Sequence, residues 1–467
     1  MSATRREVLA RSGALGVGIA FTGALSELFA GTAASQNLGH TGYGPLVPDP
    51  NGLLDLPKGF RYRVLSREGD QLRSGEGKVP SNHDGMAAFA GRSPGRHGRV
   101  HLVRNHENRN TARLPVPTIE GLTYDPAGKG GCTALTLDSR NNVLSERVAI
   151  AGTAVNCAGG PTPWGTWLTC EETEDKAGTN GYTKDHGFIF EVDPTDPHRS
   201  GAVPLTAMGR FQHEAIAVDP VRGVVYETED AFLKPFGLFY RFLPDRPLGG
   251  LGSLRAGGRL QAMRVPGVPD LSSIQETGAR FDGIEWVDVP DPLAARTPVR
   301  LQDFGPKGIT HAQKLEGCYW GGKSVYFVSS FARGADGSAA DHYGQIWRYD
   351  PSARRLTLVI VFGPDTDVQL PGESPDNICL APSGGLMVCE DGNGAQHVFG
   401  VTRRGEVYAM ARGRQAITPA ATAAGGTPEK PEWGEFAGVT FSPDGETMYV
   451  NCYTPGTTFA VTGPWRR

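Results

Sequence analysis

Hydrophobic and polar positions alternate along this chain in short bursts, and the same burst recurs six times. Each copy starts with a ligand-type residue, runs through a short apolar strand, turns on glycine and returns as a second apolar strand. The copies begin at His83-Asp84-Gly85-Met86, Asn156-Cys157-Ala158-Gly159, His213-Glu214-Ala215-Ile216, Leu315-Glu316-Gly317-Cys318, Asp376-Asn377-Ile378-Cys379 and Glu435-Phe436-Ala437-Gly438. Their second strands are predicted at Val100 to Asn105, Trp167 to Cys170, Val224 to Thr228, Val325 to Ser329, Leu386 to Cys389 and Met448 to Cys452. The turns between them fall at Pro94-Gly95, Trp164-Gly165, Arg222-Gly223, Gly321-Gly322, Gly384-Gly385 and Asp444-Gly445. Period-two alternation bounded by such turn residues marks β-hairpins.

Third strands follow with aromatic alternation at Gly187 to Val192, Leu238 to Phe242 and Gln345 to Tyr349, and the clearest fourth strand is Arg355 to Val361. Four-stranded units repeated around an axis are the plan of a β-propeller, which leaves only short strand edges. The predicted fold is therefore all-β, a six-bladed β-propeller; a pair of β-sandwiches is the competing arrangement. Gly59 to Leu65 has strand character but no hairpin of its own, and is expected to close the ring as the outer strand of the last blade.

Composition agrees with many short strands, with 64 glycines and 35 prolines in 467 residues. A net charge of −4 gives no electrostatic reason to expect nucleic acid. The seven cysteines include no CxxC pair, which argues against a zinc ribbon or a thioredoxin site. Arg5-Arg6 stands directly before an apolar run from Gly13 to Leu25, about 13 residues, too short to span a bilayer. Small residues follow to Ala34. Residues 1–34 are read as a twin-arginine export signal and 35–467 as a single propeller domain. The expected product is exported by the twin-arginine machinery to the periplasm, cell envelope or medium, as a monomer without a stable membrane span.

In a propeller the first strand of each blade lines the central channel. The repeat would then bring Asp84, Cys157, Glu214, Glu316, Asp376 and Glu435 to one axis. Crowded carboxylates cannot all stay ionised in a low-dielectric channel unless cations sit among them. The ends of the second strands add Glu107, Glu171, Glu172, Glu229, Asp230, Glu390 and Asp391 on the same side. Many oxygen donors suit calcium, and a lone thiolate among them points to a transition metal alongside. Cys132, Cys318, Cys379 and Cys389 fall on apolar strands and read as buried thiols.

The stretch from Asn156 to Glu172, NCAGGPTPWGTWLTCEE, closely resembles the signature of the PhoX alkaline phosphatases. Further resemblance lies in His213-Glu214-Ala215, Tyr226 to Asp230, Leu315-Glu316-Gly317, Asp376-Asn377-Ile378, Cys389 to Gly392, Glu435 to Gly445 and Thr462 to Trp465. The resemblance spans essentially the whole chain after residue 34. It implies phosphomonoester hydrolysis by an Fe3+ and Ca2+ cluster in the channel. Cys157 would be an iron ligand. Glu214, Glu316 and Asp376 would bind iron or bridge it to calcium, and Glu171, Glu390 and Glu435 would complete the calcium coordination. Glu214 and Glu316 would thereby take part in catalysis. At the position of the family's phosphate-clamping arginine this chain has Lys314, a point charge without arginine's planar fork. Two other readings stay open from the residues alone: a calcium-dependent lactonase or esterase, and a non-catalytic binding propeller.

Overall fold

The computed structural model describes residues 42–91, 98–364, 367, 369–417 and 433–466. The export signal at 1–34, the Pro94-Gly95 turn and most of the polar tract before Trp433 lie outside the described residues. The described chain is strands and short 3-10 turns, arranged as six antiparallel sheets. The expected six-bladed propeller is the observed fold.

Blade 1 is four strands, His83–Ala90, Val100–His106, Gly130–Leu137 and Val143–Thr153. Blade 2 has three, Asn156–Pro161, Trp167–Glu171 and Ile189–Val192. Blade 3 opens with His213–Val218 and Val225–Glu229 and carries an insertion outside its third strand. Blade 4 opens with Leu315–Gly321 and Ser324–Ser329, and blade 5 with Pro375–Leu380 and Leu386–Glu390. Blade 6 is Phe436–Phe441, Thr447–Cys452 and Thr457–Thr462. Its fourth strand is Arg61–Arg67, which pairs with Thr457–Thr462, so the two ends of the described chain close the ring as expected. The chain before it also adds Leu54–Pro57 and Leu46–Val47 to the outer edge of blade 5.

The inner strands touch in cyclic order, 1 to 6 and back to 1. They come very close because small residues stand where they meet. A Cβ on Gly85 would lie 2.6 Å from Ala158 Cα, and one on Gly317 would lie 2.5 Å from Asp376 O. Between the blades the core is apolar. Trp167 packs against Ala87 and Val103 of blade 1 and donates its indole N–H to Asn105 Oδ1 at 2.9 Å. Burying such ring surface is the main stabilising term between neighbouring blades. Below the inner-strand carboxylates the channel narrows to a cavity of about 40 Å3, lined by residues such as Met86, Ala158, Cys318, Ile378 and Val439.

Candidate metal centre

Every inner strand has an irregularity in its pairing at its ligand end. The register shifts between His83 and Met86, Asn156 and Gly159, His213 and Ile216, Leu315 and Cys318, Pro375 and Ile378, and Ala437 and Thr440. A bulge turns a side chain away from the plain alternation of the strand. Four of the residues just before these bulges, Asn82, Val155, Lys314 and Ser374, adopt positive φ between 42° and 54°. A β-branched valine with φ +51° is a costly backbone state, and such strain gathers at functional sites.

A second sixfold feature sets the register. The residue after each second strand donates its backbone N–H to the carbonyl at the entry of the inner strand. These bonds are Glu107 to Asn82, Glu172 to Val155, Asp230 to Gln212, Ser330 to Lys314, Asp391 to Ser374 and Tyr453 to Glu435, at 2.8–3.1 Å. Two residues beyond those carbonyls stand Asp84, Cys157, Glu214, Glu316 and Asp376. In blade 6 the same count reaches Ala437. The expected equivalence of Glu435 with the other axial residues is therefore corrected by two positions: Glu435 occupies the register of Lys314, at the half-buried rim.

The five remaining positions converge as the repeat predicts. Ligand atoms of Asp84, Glu107 and Cys157 lie within 4.8 Å of one another, as do those of Cys157, Glu172 and Glu214, and those of Glu214, Glu316 and Asp376. The three triads share members, so they form one continuous arc across five blades. Cys157 Sγ is 3.0 Å from Glu214 Oε1. With Asp230 and Asp391 alongside, eight carboxylates here are each at most 8% exposed. Lys314 is the buried cation beside them: its Nζ ion-pairs with Glu316 and lies 3.5 Å from Asp391 Oδ2. So much buried negative charge fits a site for multivalent cations, since one lysine cannot balance it. The donor set, hard carboxylates with a single thiol, fits the mixed metals expected.

Glu171 and Glu390 are not brought into these triads. Glu171 accepts from the backbone N–H of Ala154, Gly187 and Phe188 and from His186 Nδ1, at 2.6–3.0 Å. Glu390 accepts likewise from Gly372 N, Glu373 N, and the N and Nδ1 of His397. Successive side chains of a strand point to opposite faces. The last residue of each second strand therefore turns into the blade and ties its loops, while the next one, Glu172 or Asp391, turns to the axis. Glu107 and Glu172, expected among the acids at the ends of the second strands but absent from the ligand set that the family resemblance implies, are the ones that join the triads. The position one past the second strand is what separates them from Glu171 and Glu390.

The remaining thiols lie outside the triads. Burial pushes Cys132, Cys170, Cys318, Cys379, Cys389 and Cys452 up, away from thiolate, and all are free. The histidines next to the acids stand behind them. Burial pulls His213 down to about 3, and its Nε2 lies 3.2 Å from Gly209 O. His83 and His106 are also held neutral by burial, with the Arg104 charge adding to the effect. Burial pushes the Tyr453 phenol up, and the charges of Glu107, Glu435 and Asp84 push it the same way.

Comparison with known proteins agrees with the fold. Among solved structures, Pseudomonas fluorescens PhoX in complex with vanadate, a transition state analogue, superposes with a TM-score of 0.63 at 19% identity, covering 88% of this chain and 96% of that one. A Xanthomonas campestris gluconolactonase, XC5397, gives a TM-score of 0.42 at 13% identity, over 91% of this chain and 99% of its own. A search of curated protein sequences returns no match. Among the described residues no helix is long and apolar enough to cross a membrane. The family model for alkaline phosphatase PhoX matches residues 41–148 and 140–456, nearly all of the propeller. On that match, and with a buried acid-and-thiol arc on its axis, the chain belongs to the alkaline phosphatase PhoX family and is a metal-dependent phosphatase.

Proposed function

We propose that this chain is an exported phosphomonoesterase whose cluster combines Fe3+ and Ca2+ at the axial arc. The observation that carries the reading is the set of overlapping triads with one thiol and one buried lysine among the acids. Cys157 is the soft donor, and with Glu214 it would hold iron. Glu214 belongs to two triads and would bridge neighbouring ions. Glu316 and Asp376 complete its second triad, and Asp84, Glu107 and Glu172 are the hard donors for calcium. Glu171 and Glu390 support this set by fixing the loops behind it, and Glu435 contributes charge at the rim.

When bound, such cations supply positive charge for the phosphoryl oxygens and an activated water for in-line attack. The chain's own part is positioning. Lys314 is held by Glu316 and Asp391, so its ammonium is already oriented toward the site before substrate arrives. There it would bind a non-bridging oxygen as a point charge. Export rests on the twin arginines and the apolar run of residues 1–34.

Elemental analysis of the full chain, purified from its native exported form, tests the reading. Iron and calcium should be found together, with visible absorption from a ferric thiolate, and calcium removal should abolish activity and lower Tm by linkage. Calcium alone, with Cys157 alkylated in the folded protein, would remove iron. Protein that retains no metal would remove the cluster altogether.

A further inference from the structure

Two loops leave the metal-facing ends of blades 3 and 4. One follows Asp230 and carries Phe232, Leu233 and Lys234; the other follows Ser330 and carries Phe331 and Arg333. They are joined beside Lys314. Its backbone N–H donates to Ala231 O at 3.4 Å, and Gln313 Nε2 donates to Phe232 O at 3.2 Å. The rings of Phe232 and Phe331 meet edge to face with centroids 5.2 Å apart. Lys314 Nζ lies 5.5 Å from the Phe331 centroid, and Arg333 Cζ lies 5.2 Å from it. Phe331 is buried and Phe232 is half-buried, while Leu233 is 67% exposed.

An apolar rim next to a polar pocket is a place where a ligand's organic part is held. A phosphate bound by Lys314 puts the ester substituent one oxygen away from it. Phe331, 5.5 Å from Nζ, is buried, and the half-buried Phe232 packed edge to face on it is the ring that this substituent can reach. We infer that Phe232, backed by the buried Phe331 and flanked by Leu233 and Arg333, forms an aromatic wall that receives the ester's organic group. The wall makes phosphomonoesters of planar aromatic groups the preferred substrate class. A flat ring gains edge or face contacts with Phe232 that a short polyol does not make. The inference rests on the phosphomonoesterase reading above and adds the substrate class to it.

The test is a ratio of specificities in the metal-loaded full chain. kcat/KM is measured for phenyl phosphate and for glycerol 3-phosphate in wild type, Phe232→Ala and Phe232→Leu, each checked for equal metal content. The ratio of phenyl to glycerol ester should fall about two- to tenfold in both variants, the range that one aromatic contact represents. Phe232→Leu keeps the bulk of the side chain, so a fall there belongs to the ring and not to folding. An unchanged ratio, with both esters still turned over, overturns the aromatic wall alone. A wild type that turns over neither ester removes the phosphomonoesterase reading and the wall with it.

Discussion

Neutralising Lys314 is the most direct perturbation of substrate binding. Its Nζ is 3.5 Å from Asp391 Oδ2, which at an effective dielectric constant of about 20 is roughly 5 kcal/mol of Coulomb attraction. A phosphate oxygen at the same distance gains a similar amount, so binding exchanges one acid for another. Only the surplus remains, that of one charge-assisted contact to a dianion, about 1.4 to 2.8 kcal/mol or tenfold to hundredfold. Lys314→Ala should therefore weaken inhibition by inorganic phosphate and lower kcat/KM for aryl phosphates together, by that factor. Lys314→Arg should keep or improve both, because a planar fork reaches two oxygens. The assay is phosphate inhibition and steady-state kinetics on the three proteins at equal metal content. The same phosphate inhibition constant in all three would refute the reasoning, and the centre would lose its buried cation as an anion clamp.

Neighbouring acids should separate cleanly. Glu172→Gln should lower metal content and activity. Glu171→Gln should instead lower Tm, by about 1 to 3 kcal/mol of lost charge-assisted bonds, with metal per folded molecule unchanged. Burial holds His342 down to about 4, so the folded protein stays neutral there while the unfolded chain takes up a proton below its ordinary value of 6.5. That contribution to stability is complete above pH 6.5 and is lost as pH falls toward 4. By pH 5 the loss amounts to about 2 kcal/mol, and urea midpoints for His342→Gln should fall less between pH 7 and pH 5 than those for wild type.

Much of this architecture is written locally. Glycine turns and two-residue alternation mark each hairpin, because backbone sterics and one-sided burial act within a few residues. The repetition of those hairpins is what implies a ring. That is why Asp84, Cys157, Glu214, Glu316 and Asp376 could be assigned to one axis from sequence, and why the strand at Arg61–Arg67 could be assigned to the last blade. Tertiary structure alone decided matters of register and facing. Glu435 looked like a fifth axial acid, but the bond from Tyr453 N puts it level with Lys314 and leaves Ala437 on the axis. Glu171 and Glu172 are adjacent and chemically alike, as are Glu390 and Asp391. Which of each pair faces the metals depends on where the strand pairing ends, and a shift of one residue reverses it. Lys314 was a departure from the family pattern in the sequence. Glu316 and Phe331 bury it from its own blade, while Asp391 comes from the next blade, far along the chain, and only the packing of neighbouring blades brings that acid to it.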